Sequence, residues 1–398
     1  METILQKKLS IDKTKWTPVK FGEVVFEPKE SSKDPVKDGI KHVVGLEHIE
    51  SENIHLRKSE TLEESTTFTK KFAIGDVLFG RRRAYLRKAS QASFNGICSG
   101  DITVFRTKEN LMPELLPFVV NNEKFFDYAI KHSAGGLSPR VKFKDLANYE
   151  FLLPPKDQQA QLAKLLWAMD EVIEKEKILK LKYHTFYKRC LFDSVSGFNS
   201  DKIDTWKDFV LGDLGESFGG LTGKTKKDFG TGAPFVNYMN VFTNSKVDFK
   251  QVDYVTIKDG EKQHELKYGD ILLTGSSETP EDIGMSSVVL DDIKGCFLNS
   301  FCFGIRLKNF DNLLPEYARY LLRGKGVRSF MFKHAQGSTR FNLSKTTVKQ
   351  KLKFLLPTIN EQHEIVKKLD FMDEQVNEHD RKNETSLSLQ KSLINQIF

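Results

Sequence analysis

The sequence predicts an α+β protein built from two tandem β-rich domains, each followed by a long helix. Three observations lead to this fold class. The second half of the 398-residue chain repeats motifs of the first half in the same order. Each copy begins with short apolar runs broken by glycine, asparagine, aspartate and serine, which is typical of short strands and turns. Each copy ends in a heptad-like pattern of apolar residues, which indicates a long helix.

The internal repeat is the most informative feature of the chain. Its matched segments include Trp16 with Trp206, Gly75–Leu78 with Gly269–Leu272, Pro113-Glu114 with Pro315-Glu316, and Phe151–Pro154 with Phe354–Pro357. The offset is 190 residues at the two tryptophans and 203 residues at the last pair of segments. Small loop insertions produce such slow growth of the offset, so we infer two tandem units of about 200 residues each.

The repeat also places the domain boundaries. A proline closes each Phe-Leu-Leu-Pro segment, and proline stops a strand and favours the start of a helix. We therefore predict β-rich domains at residues 1–154 and 197–357, and long helices at residues 155–196 and 358–398. A helix of about 38 residues would be roughly 57 Å long.

Each predicted helix carries a seam, which is a row of residues spaced alternately by four and three. The seam of the first helix comprises Leu165, Met169, Val172, Glu176, Leu179, Tyr183, Phe186 and Cys190. The seam of the second comprises Ile365, Leu369, Met372, Val376, His379, Asn383, Ser386, Gln390, Leu393 and Ile397. This spacing is typical of a coiled coil, so we expect the helices to pack antiparallel, with the domains at opposite ends in pseudo-two-fold symmetry. The alternative is ordinary packing of each helix on a globular core.

Charge is clustered along the chain, although the formal net charge is only +7. No carboxylate lies between Asp76 and Asp101, a stretch that holds four arginines and one lysine. Ten lysines and arginines likewise lie between Glu316 and Glu361 without an acidic residue. Such stretches favour binding to phosphates, because each contact releases condensed counterions. A solvated charged surface is the alternative.

The composition excludes several classes of protein. With 39% hydrophobic and 29% charged residues, the chain resembles an ordinary soluble protein. No apolar run approaches the roughly 18 residues that a membrane span needs. The polar segment Met1–Lys15 predicts that no secretory signal is present. Cys98, Cys190, Cys296 and Cys302 are scattered, so we expect free thiols and a cytoplasmic protein.

Catalytic motifs are missing from the sequence. Gly223-Lys224-Thr225 resembles the end of a phosphate-binding loop, but Phe218 occupies the position of its first glycine. The glycine-rich residues 219–223 are therefore interpreted as a flexible loop, with contact to the DNA backbone as the alternative. His48 and His55 lie near acidic residues, yet their spacing fits no common metal site. We predict no catalytic residues, no metal and no cofactor, and hence a recognition or assembly module.

In motif order, the chain resembles the specificity subunit of type I restriction–modification systems from Trp16 to Phe398. The resemblance depends most on the doubled Phe-Leu-Leu-Pro…Gln…Met-Asp-Glu junctions and on the doubled Gly-Asp segments, of which Gly75–Lys88 is the closest match. It implies that each β-rich domain is a target-recognition domain for one half of a split, asymmetric sequence in double-stranded DNA. It also implies that the helices are a spacer that sets the gap and a platform for partner proteins. Those partners would be two adenine methyltransferase subunits and ATP-driven restriction subunits.

Candidate DNA contacts follow from the basic loops and from the repeat. They are Arg81, Arg82, Arg83, Arg87, Lys88, Arg140, Lys142, Lys144, Lys224, Ser276, Ser277, Arg340, Asn342 and Lys345. The arginines of the first loop can contact phosphates or read guanine, whereas serines stand at the matching place in the second copy. For partner binding or spacing we predict Gln159, Met169, Gln362 and Met372.

The sequence disfavours two other functions without excluding them. A self-contained methyltransferase–nuclease fragment is disfavoured by the missing cofactor motifs. A coiled-coil scaffold that never touches DNA is disfavoured by the basic stretches without acidic residues.

Overall fold

The computed structural model describes residues 11–62, 67–197, 203–291 and 293–398. Most of the polar N-terminal segment, from which we predicted the absence of a secretory signal, lies outside them. In the described ranges no helix is both long and apolar enough to cross a membrane. The chain forms two compact units. Unit 1 is the chain up to Ile178 together with Asp380–Phe398, and unit 2 is Leu179–His379.

Unit 1 contains eleven described strands. They are β1 (Thr17–Lys20), β2 (Val25–Phe26), β3 (His42–Val44), β4 (His55–Leu56), β5 (Glu60–Thr61), β6 (Lys70–Phe72), β7 (Val77–Gly80), β8 (Ala89–Ala92), β9 (Gly96–Cys98), β10 (Ile102–Thr107) and β11 (Glu150–Leu153). Its short helices are α1 (Phe21–Val24), α2 (Leu116–Val120), α3 (Glu123–Lys131) and α4 (Phe143–Leu146), followed by the long α5 (Lys156–Ser196), which continues into unit 2.

The strands of unit 1 form two main sheets and a ribbon. One sheet has the order β2-β10-β7-β8-β4, the other β5-β3-β9-β6, and β1 pairs antiparallel with β11. Both β7 and the first four residues of β10 are fully buried, as expected of continuous apolar strands covered on both faces. Phe21, Phe79, Phe105 and Phe125 meet edge-on or stacked in the core that these strands share with α3.

Unit 2 repeats this plan with eleven described strands. They are β12 (Lys207–Val210), β13 (Gly215–Gly219), β14 (Phe229–Val236), β15 (Asp253–Val255), β16 (Ile271–Thr274), β17 (Ser276–Ser277), β18 (Ser286–Val288), β19 (Phe297–Leu298), β20 (Cys302–Leu307), β21 (Phe341–Asn342) and β22 (Lys353–Leu356). Its helices are α6 (Leu211–Leu214), α7 (Tyr238–Thr243), α8 (Pro315–Leu321), α9 (Lys325–Lys333), α10 (Lys345–Lys351) and the long α11 (Ile359–Ile397), which continues into unit 1.

The sheets of unit 2 mirror those of unit 1. Strands β13-β20-β16-β18 form one sheet and β15-β14-β19 a second, while β12 pairs antiparallel with β22 and β17 with β21. The ribbons β1–β11 and β12–β22 join the segment after each repeated tryptophan to the repeated Phe-Leu-Leu strand. The predicted fold class, with two β-rich tandem domains each followed by a long helix, is confirmed.

The repeated Gly-Asp step is explained by a buried ion pair. Gly75 and Gly269 have φ values of 89° and 84°, which only glycine adopts without strain. The following aspartates are buried, and each accepts two hydrogen bonds from one arginine of the neighbouring strand. Arg106 donates to Asp76 at 2.7 and 2.8 Å, and Arg306 donates to Asp270 at 2.8 and 2.7 Å. This bidentate geometry fixes the start of β7 and β16 in the same way.

The repeated glutamines fasten the long helices to their domains. Gln159 is 1% exposed, accepts from the Met112 amide at 2.9 Å and donates to the carbonyls of Asn110 and Pro154. Gln362 is buried and makes the same three bonds, to Leu314, Asn312 and Pro357. Each amide therefore replaces water for three backbone groups that would otherwise be buried without partners.

The long helices run antiparallel where unit 2 holds both of them. The rings of Tyr183 on α5 and His379 on α11 lie 4.6 Å apart, and four residues further along α5 Tyr187 bonds to Asp373, six residues back along α11. In unit 1, the start of α5 and the end of α11 share one hydrophobic core, through Leu166 and Ile394 among others. These pairings confirm the expected antiparallel packing within each unit.

The predicted seam is correct in α11 and only partly correct in α5, where Met169, Glu176 and Tyr183 are half-buried and Cys190 is buried. In α11, the described seam positions from Leu369 to Ile397 are buried or half-buried. In α5, Leu165, Val172, Leu179 and Phe186 are exposed, whereas Gln159, Ala163, Leu166, Asp170 and Ile173 are buried. The cause is that apolar residues stand side by side on α5, so both registers look apolar. The register that forms contains polar residues with distant partners, such as Asp170 with His55 at 2.7 Å.

The four cysteines are free and buried, as predicted for thiols outside a disulfide framework. Burial raises the pKa of Cys98, Cys296 and Cys302 to about 12, so these thiols stay protonated and unreactive near neutral pH.

Candidate nucleic-acid interface

In unit 1 the two predicted DNA-contact loops lie side by side. The first loop, Arg81–Lys88, follows β7, and the second, residues 134–144, follows α3. The Val141 amide donates to the Arg81 carbonyl at 3.0 Å, and the Arg83 amide donates to the Pro139 carbonyl at 2.8 Å. Residues predicted separately from two parts of the sequence are therefore joined in one surface, which we name the unit 1 loop pair.

Asp101 links the cations of the unit 1 loop pair. Arg140 Nε donates to its Oδ1 at 2.8 Å and Arg82 Nη1 to its Oδ2 at 3.2 Å. Burial pushes the pKa of Asp101 upward, but the hydrogen bonds from Arg140 and Arg82 outweigh burial and hold this pKa below its usual value. Arg82 also reaches the Ser138 hydroxyl at 3.1 Å. The guanidinium groups are thus held in place before any ligand arrives.

Two arginines of the first loop have left-handed backbones. Arg83 and Arg87 have φ values of 54° and 50°, a region that residues other than glycine rarely enter. They bracket a single 3₁₀ turn, Ala84–Leu86, which presents Tyr85 to solvent with 52% of its surface exposed. Strained backbone of this kind persists where its surroundings enforce it and is frequent at functional sites.

The remaining cations of unit 1 differ in their freedom. Arg87 lies 3.4 Å from Asp127 and packs over the ring of Phe126, and Lys88 donates to the Leu46 carbonyl at 2.7 Å. Lys142 and Lys144 are exposed. Arg83 is also exposed, and the only hydrogen bond of its guanidinium within the described residues is a long one to Ser138, at 3.4 Å. Arg83, Lys142 and Lys144 are therefore the exposed cations of this set, whereas Arg81 and Lys88 are half-buried.

Unit 2 builds the same arrangement from different residues. Ser276 pairs with Asn342 and Ser277 with Phe341 in the β17–β21 ribbon, and the Leu343 amide donates to the Gly275 carbonyl at 3.0 Å. We name this surface the unit 2 loop pair. Both serines are buried, whereas Arg340, Asn342 and Lys345 are exposed. The place that holds arginines in unit 1 thus holds buried serines in unit 2, and a difference between the two loops in DNA binding stays a prediction.

Lys224 is held inside unit 2. Its ammonium donates to the Thr256 carbonyl at 2.7 Å and pairs with Glu261 at 2.5 Å. The hydrogen bond from Lys224 lowers the pKa of Glu261 to about 2. This pair fastens Lys224, which follows the glycine-rich residues 219–223, to Glu261. The first of these glycines, Gly219, ends strand β13. Contact between Lys224 and DNA stays a prediction, and it would require this pair to open.

Of the residues predicted to bind partners, Gln159 and Met169 belong to unit 1, and Gln362 and Met372 belong to unit 2. Gln159 and Gln362 use their amides for the backbone bonds described above, Met169 is half-buried and Met372 is buried. Their predicted role in partner binding or spacing is not decided by these positions.

Several residues of the site were missed from the sequence. Asp101 and Ser138 join the loops of unit 1, and Leu137 at the tip of the second loop is 98% exposed. In unit 2, the exposed Phe301 ring lies 5.7 Å from the Arg340 guanidinium. An apolar residue directly after two glycines, as at Leu137, was the only local signal. The role of Asp101 depends on contacts with residues 19 and 39 positions away.

Within the described ranges, two side-chain groups have ligand atoms close enough to hold a metal ion, and they include both histidines noted in the sequence. His55, Asp170 and Glu174 form one group, and Glu47, His48 and Glu60 the other. Several of these side chains are already engaged: His55 bonds to Asp170, Glu174 pairs with Lys177 at 3.0 Å, and His48 Nδ1 accepts from the Gly45 amide. The absence of a metal stays a prediction.

One protein family matches both copies of the repeat. The family model described as the type I restriction modification DNA specificity domain matches twice, at residues 13–183 and 203–386. A stretch of 119 residues is 29% identical to the type I restriction enzyme EcoDI specificity subunit of Escherichia coli; it covers 29% of this chain and only 26% of that protein.

Solved structures share the fold at low identity. One chain, from a structure describing complex assembly and conformational transition of the type I R-M system, is 20% identical with a TM-score of 0.63 over 98% of both chains. The type I restriction-modification S subunit from M. genitalium is 12% identical with a TM-score of 0.58, over 99% of this chain and 98% of that one.

Proposed function

The chain belongs to the family of type I restriction–modification DNA specificity proteins, and from this membership we propose that it binds a split, asymmetric sequence in double-stranded DNA. Each unit reads one half-site through its loop pair. The chain itself carries out no catalysis and binds no cofactor. Methyltransferase subunits bound to it methylate adenine, and restriction subunits bound to the same assembly cleave DNA with ATP.

One observation supports this proposal most strongly. In both units the loop after the Gly-Asp strand is hydrogen-bonded to the loop that follows a glycine, and the pair projects cations and unburied side chains. A rigid scaffold that presents variable loops is the usual arrangement of a recognition surface. Exposed cations such as Arg83 and Lys345 supply phosphate contacts, which position the protein, while base contacts supply specificity.

The helices support the second part of the proposal. The apolar residues of α5 that our first register placed in the seam, namely Leu165, Val172, Leu179 and Phe186, are exposed in the described chain. A row of exposed apolar side chains along a helix is typical of a face that a partner covers. We propose that two methyltransferase subunits dock on this α5 face, and that α5 and α11 set the gap between the half-sites.

The test is a map of methylated adenines in cells with and without this gene. We expect a bipartite motif that disappears with the gene and returns with it. Labelled S-adenosylmethionine incubated with DNA and the purified chain should leave the DNA unlabelled until the methyltransferase is added. Label transferred by the chain alone would show an enzyme instead.

A scaffold without DNA contact is separated by a binding titration. The complex should bind duplex DNA with an affinity that falls steeply as salt rises, because phosphate contacts release counterions. Binding that is absent, or independent of salt, would favour the scaffold.

A further inference from the structure

A cavity of about 330 Å³ opens in unit 2 beside the unit 2 loop pair. Its apolar wall includes Met239 and Phe301, which are 56% and 54% exposed. The rings of Tyr238 and Phe242 complete this wall. A concave, partly apolar site with a few polar groups at its edge is the usual form of a binding pocket. Its position next to β17 and β21 makes it part of the surface that our proposed function turns toward DNA.

Two charged groups of opposite sign line this pocket. The Arg340 guanidinium lies over the Phe301 ring at 5.7 Å, which restricts its direction, and Glu278 is exposed at the end of β17. Among the described residues the Glu278 carboxylate forms no ion pair or hydrogen bond, and it forms none with Arg340. The other carboxylate of the pocket, Asp282, accepts from the Thr279 hydroxyl at 2.6 Å. Glu278 is therefore the exposed carboxylate of the pocket, and it has no partner among the described residues.

A free carboxylate at a DNA-binding surface calls for a physical reason, because phosphates repel it. A hydrogen bond from a base amino group provides one. In the major groove cytosine presents its N4 amino donor, whereas thymine and guanine present acceptors, and adenine places the acceptor N7 beside its amino group. A carboxylate is attracted by the first pattern and repelled by the acceptors of thymine and guanine, and in adenine the N7 acceptor weakens the attraction of the amino group. The apolar C5–H edge of cytosine also fits beside Phe301.

Guanine, the base that pairs with cytosine, suits the other charged group of the pocket, Arg340. Guanine presents O6 and N7, two acceptors that an arginine fork contacts together. We propose that Glu278 and Arg340 read one C·G base pair in the half-site bound by unit 2, with Glu278 accepting from cytosine N4 and Arg340 donating to guanine O6 and N7. The Phe301 ring holds Arg340 in position for this contact. This inference rests on the proposed function and adds to it the base pair that is read and the residues that read it.

The test uses the assembled complex and the map of methylated adenines. Glu278→Ala and Arg340→Ala should each relax the same base pair of one half-site, with discrimination against other bases falling about tenfold. The other half-site should stay unchanged. Glu281→Ala is the matched control, because Glu281 is an exposed glutamate of the same segment between β17 and β18 that does not line the pocket; the motif of this variant should equal that of the wild type.

A second measurement covers the case in which a variant abolishes methylation altogether. The wild-type complex is titrated with duplexes in which one guanine of the half-site is replaced by 7-deazaguanine, which lacks the N7 acceptor. One position should weaken binding about tenfold for the wild type and have no further effect on the Arg340→Ala complex.

An unaltered motif in both variants, or relaxation at different base pairs, would overturn the inference while leaving the proposed function intact. Failure of the proposed function has another signature, namely methylation that does not depend on this gene at all.

Discussion

In unit 1 the strand after Gly75-Asp76 runs into three arginines, whereas in unit 2 the strand after Gly269-Asp270 runs into a glycine and two serines. Outside these loops, the two units share three stabilising features. Each has a buried aspartate bound by one arginine, a buried glutamine bound to three backbone groups, and a ribbon that joins the first and last strands. The repeated residues therefore build the scaffold, and the residues that differ form its outer loops.

The long helices also carry a matched residue whose bonded partner differs between the units. Asp170 and Asp373 occupy matched positions in the repeat, but Asp170 bonds to His55 and Asp373 to Arg319. Burial raises the pKa of Asp373, and it does so although Arg319 acts in the opposite direction. The same aspartate thus ties each helix to its own domain through a different partner. A repeated sequence position specifies a place in the scaffold and leaves the choice of the bonded group to the rest of the domain.

The largest effect is expected where the units are most alike. Asp76→Ala and Asp270→Ala should each lower the free energy of unfolding by about 3 kcal/mol, because each leaves a partly buried arginine without its carboxylate. Urea denaturation of the two variants measures this. Equal losses would support a shared scaffold. A loss in only one of the two variants would show that the units are stabilised by different contacts.

A smaller and again equal effect is expected for the glutamines. Gln159→Ala and Gln362→Ala each leave three backbone groups without a partner, and should cost about 2 kcal/mol. Hydrogen exchange at the start of α5 and of α11 reports the loosening of each helix separately. Unchanged protection in both variants would show that the glutamines do not fasten the helices.

The loops should respond unequally. Replacing Arg81, Arg82 and Arg83 together by alanine should weaken DNA binding roughly tenfold and reduce the slope of log affinity against log salt by up to about 2.7, since each phosphate contact contributes about 0.9. Methylation should be lost as well, because both half-sites must be held. Changing Ser276 and Ser277 to alanine, the matched control, should leave the slope as it is. An unchanged slope in the arginine variant would show a solvated surface.

The smallest effect concerns Asp101. Its folded-state pKa is lowered, so its contribution to stability is present above the pKa of the unfolded state and is lost as the pH falls through the lower folded value. Asp101→Asn should remove this acid dependence below about pH 4. Because Arg82 and Arg140 are then less restrained, binding to unrelated DNA should tighten slightly. Acid titration of both proteins by circular dichroism decides the first point, and identical curves would contradict it.

Much of the fold could be predicted because the repeat is a property of the sequence alone. The two long helices, the strand-closing prolines and the seam of α11 follow from local spacing. The seam of α5 could be predicted only in part, because Leu165 and Leu166, like Val172 and Ile173, are apolar neighbours on adjacent faces. Its true register depends on Asp170, whose partner His55 is 115 positions away.

The site was predictable only in part. Glycines, arginines and the repeat pointed to the loops of both units, but not to their pairing. The link through Asp101 and the pocket formed by Glu278, Phe301 and Arg340 join segments far apart in sequence. No local pattern marks such groups, since their function arises from packing.

We propose that each unit reads one half-site and that α5 and α11 set the distance between the halves. Four residues are added to both helices where the units divide them, after Ile178 and after His379. Each insertion lengthens its helix by roughly 6 Å, and nearly one full turn keeps the seam close to phase. At about 3.4 Å per base pair, the methylated motif should retain both half-sites with a gap widened by one or two base pairs. Methylation that persists with an unaltered gap would contradict the claim and assign the spacing to the domains or to the partner subunits.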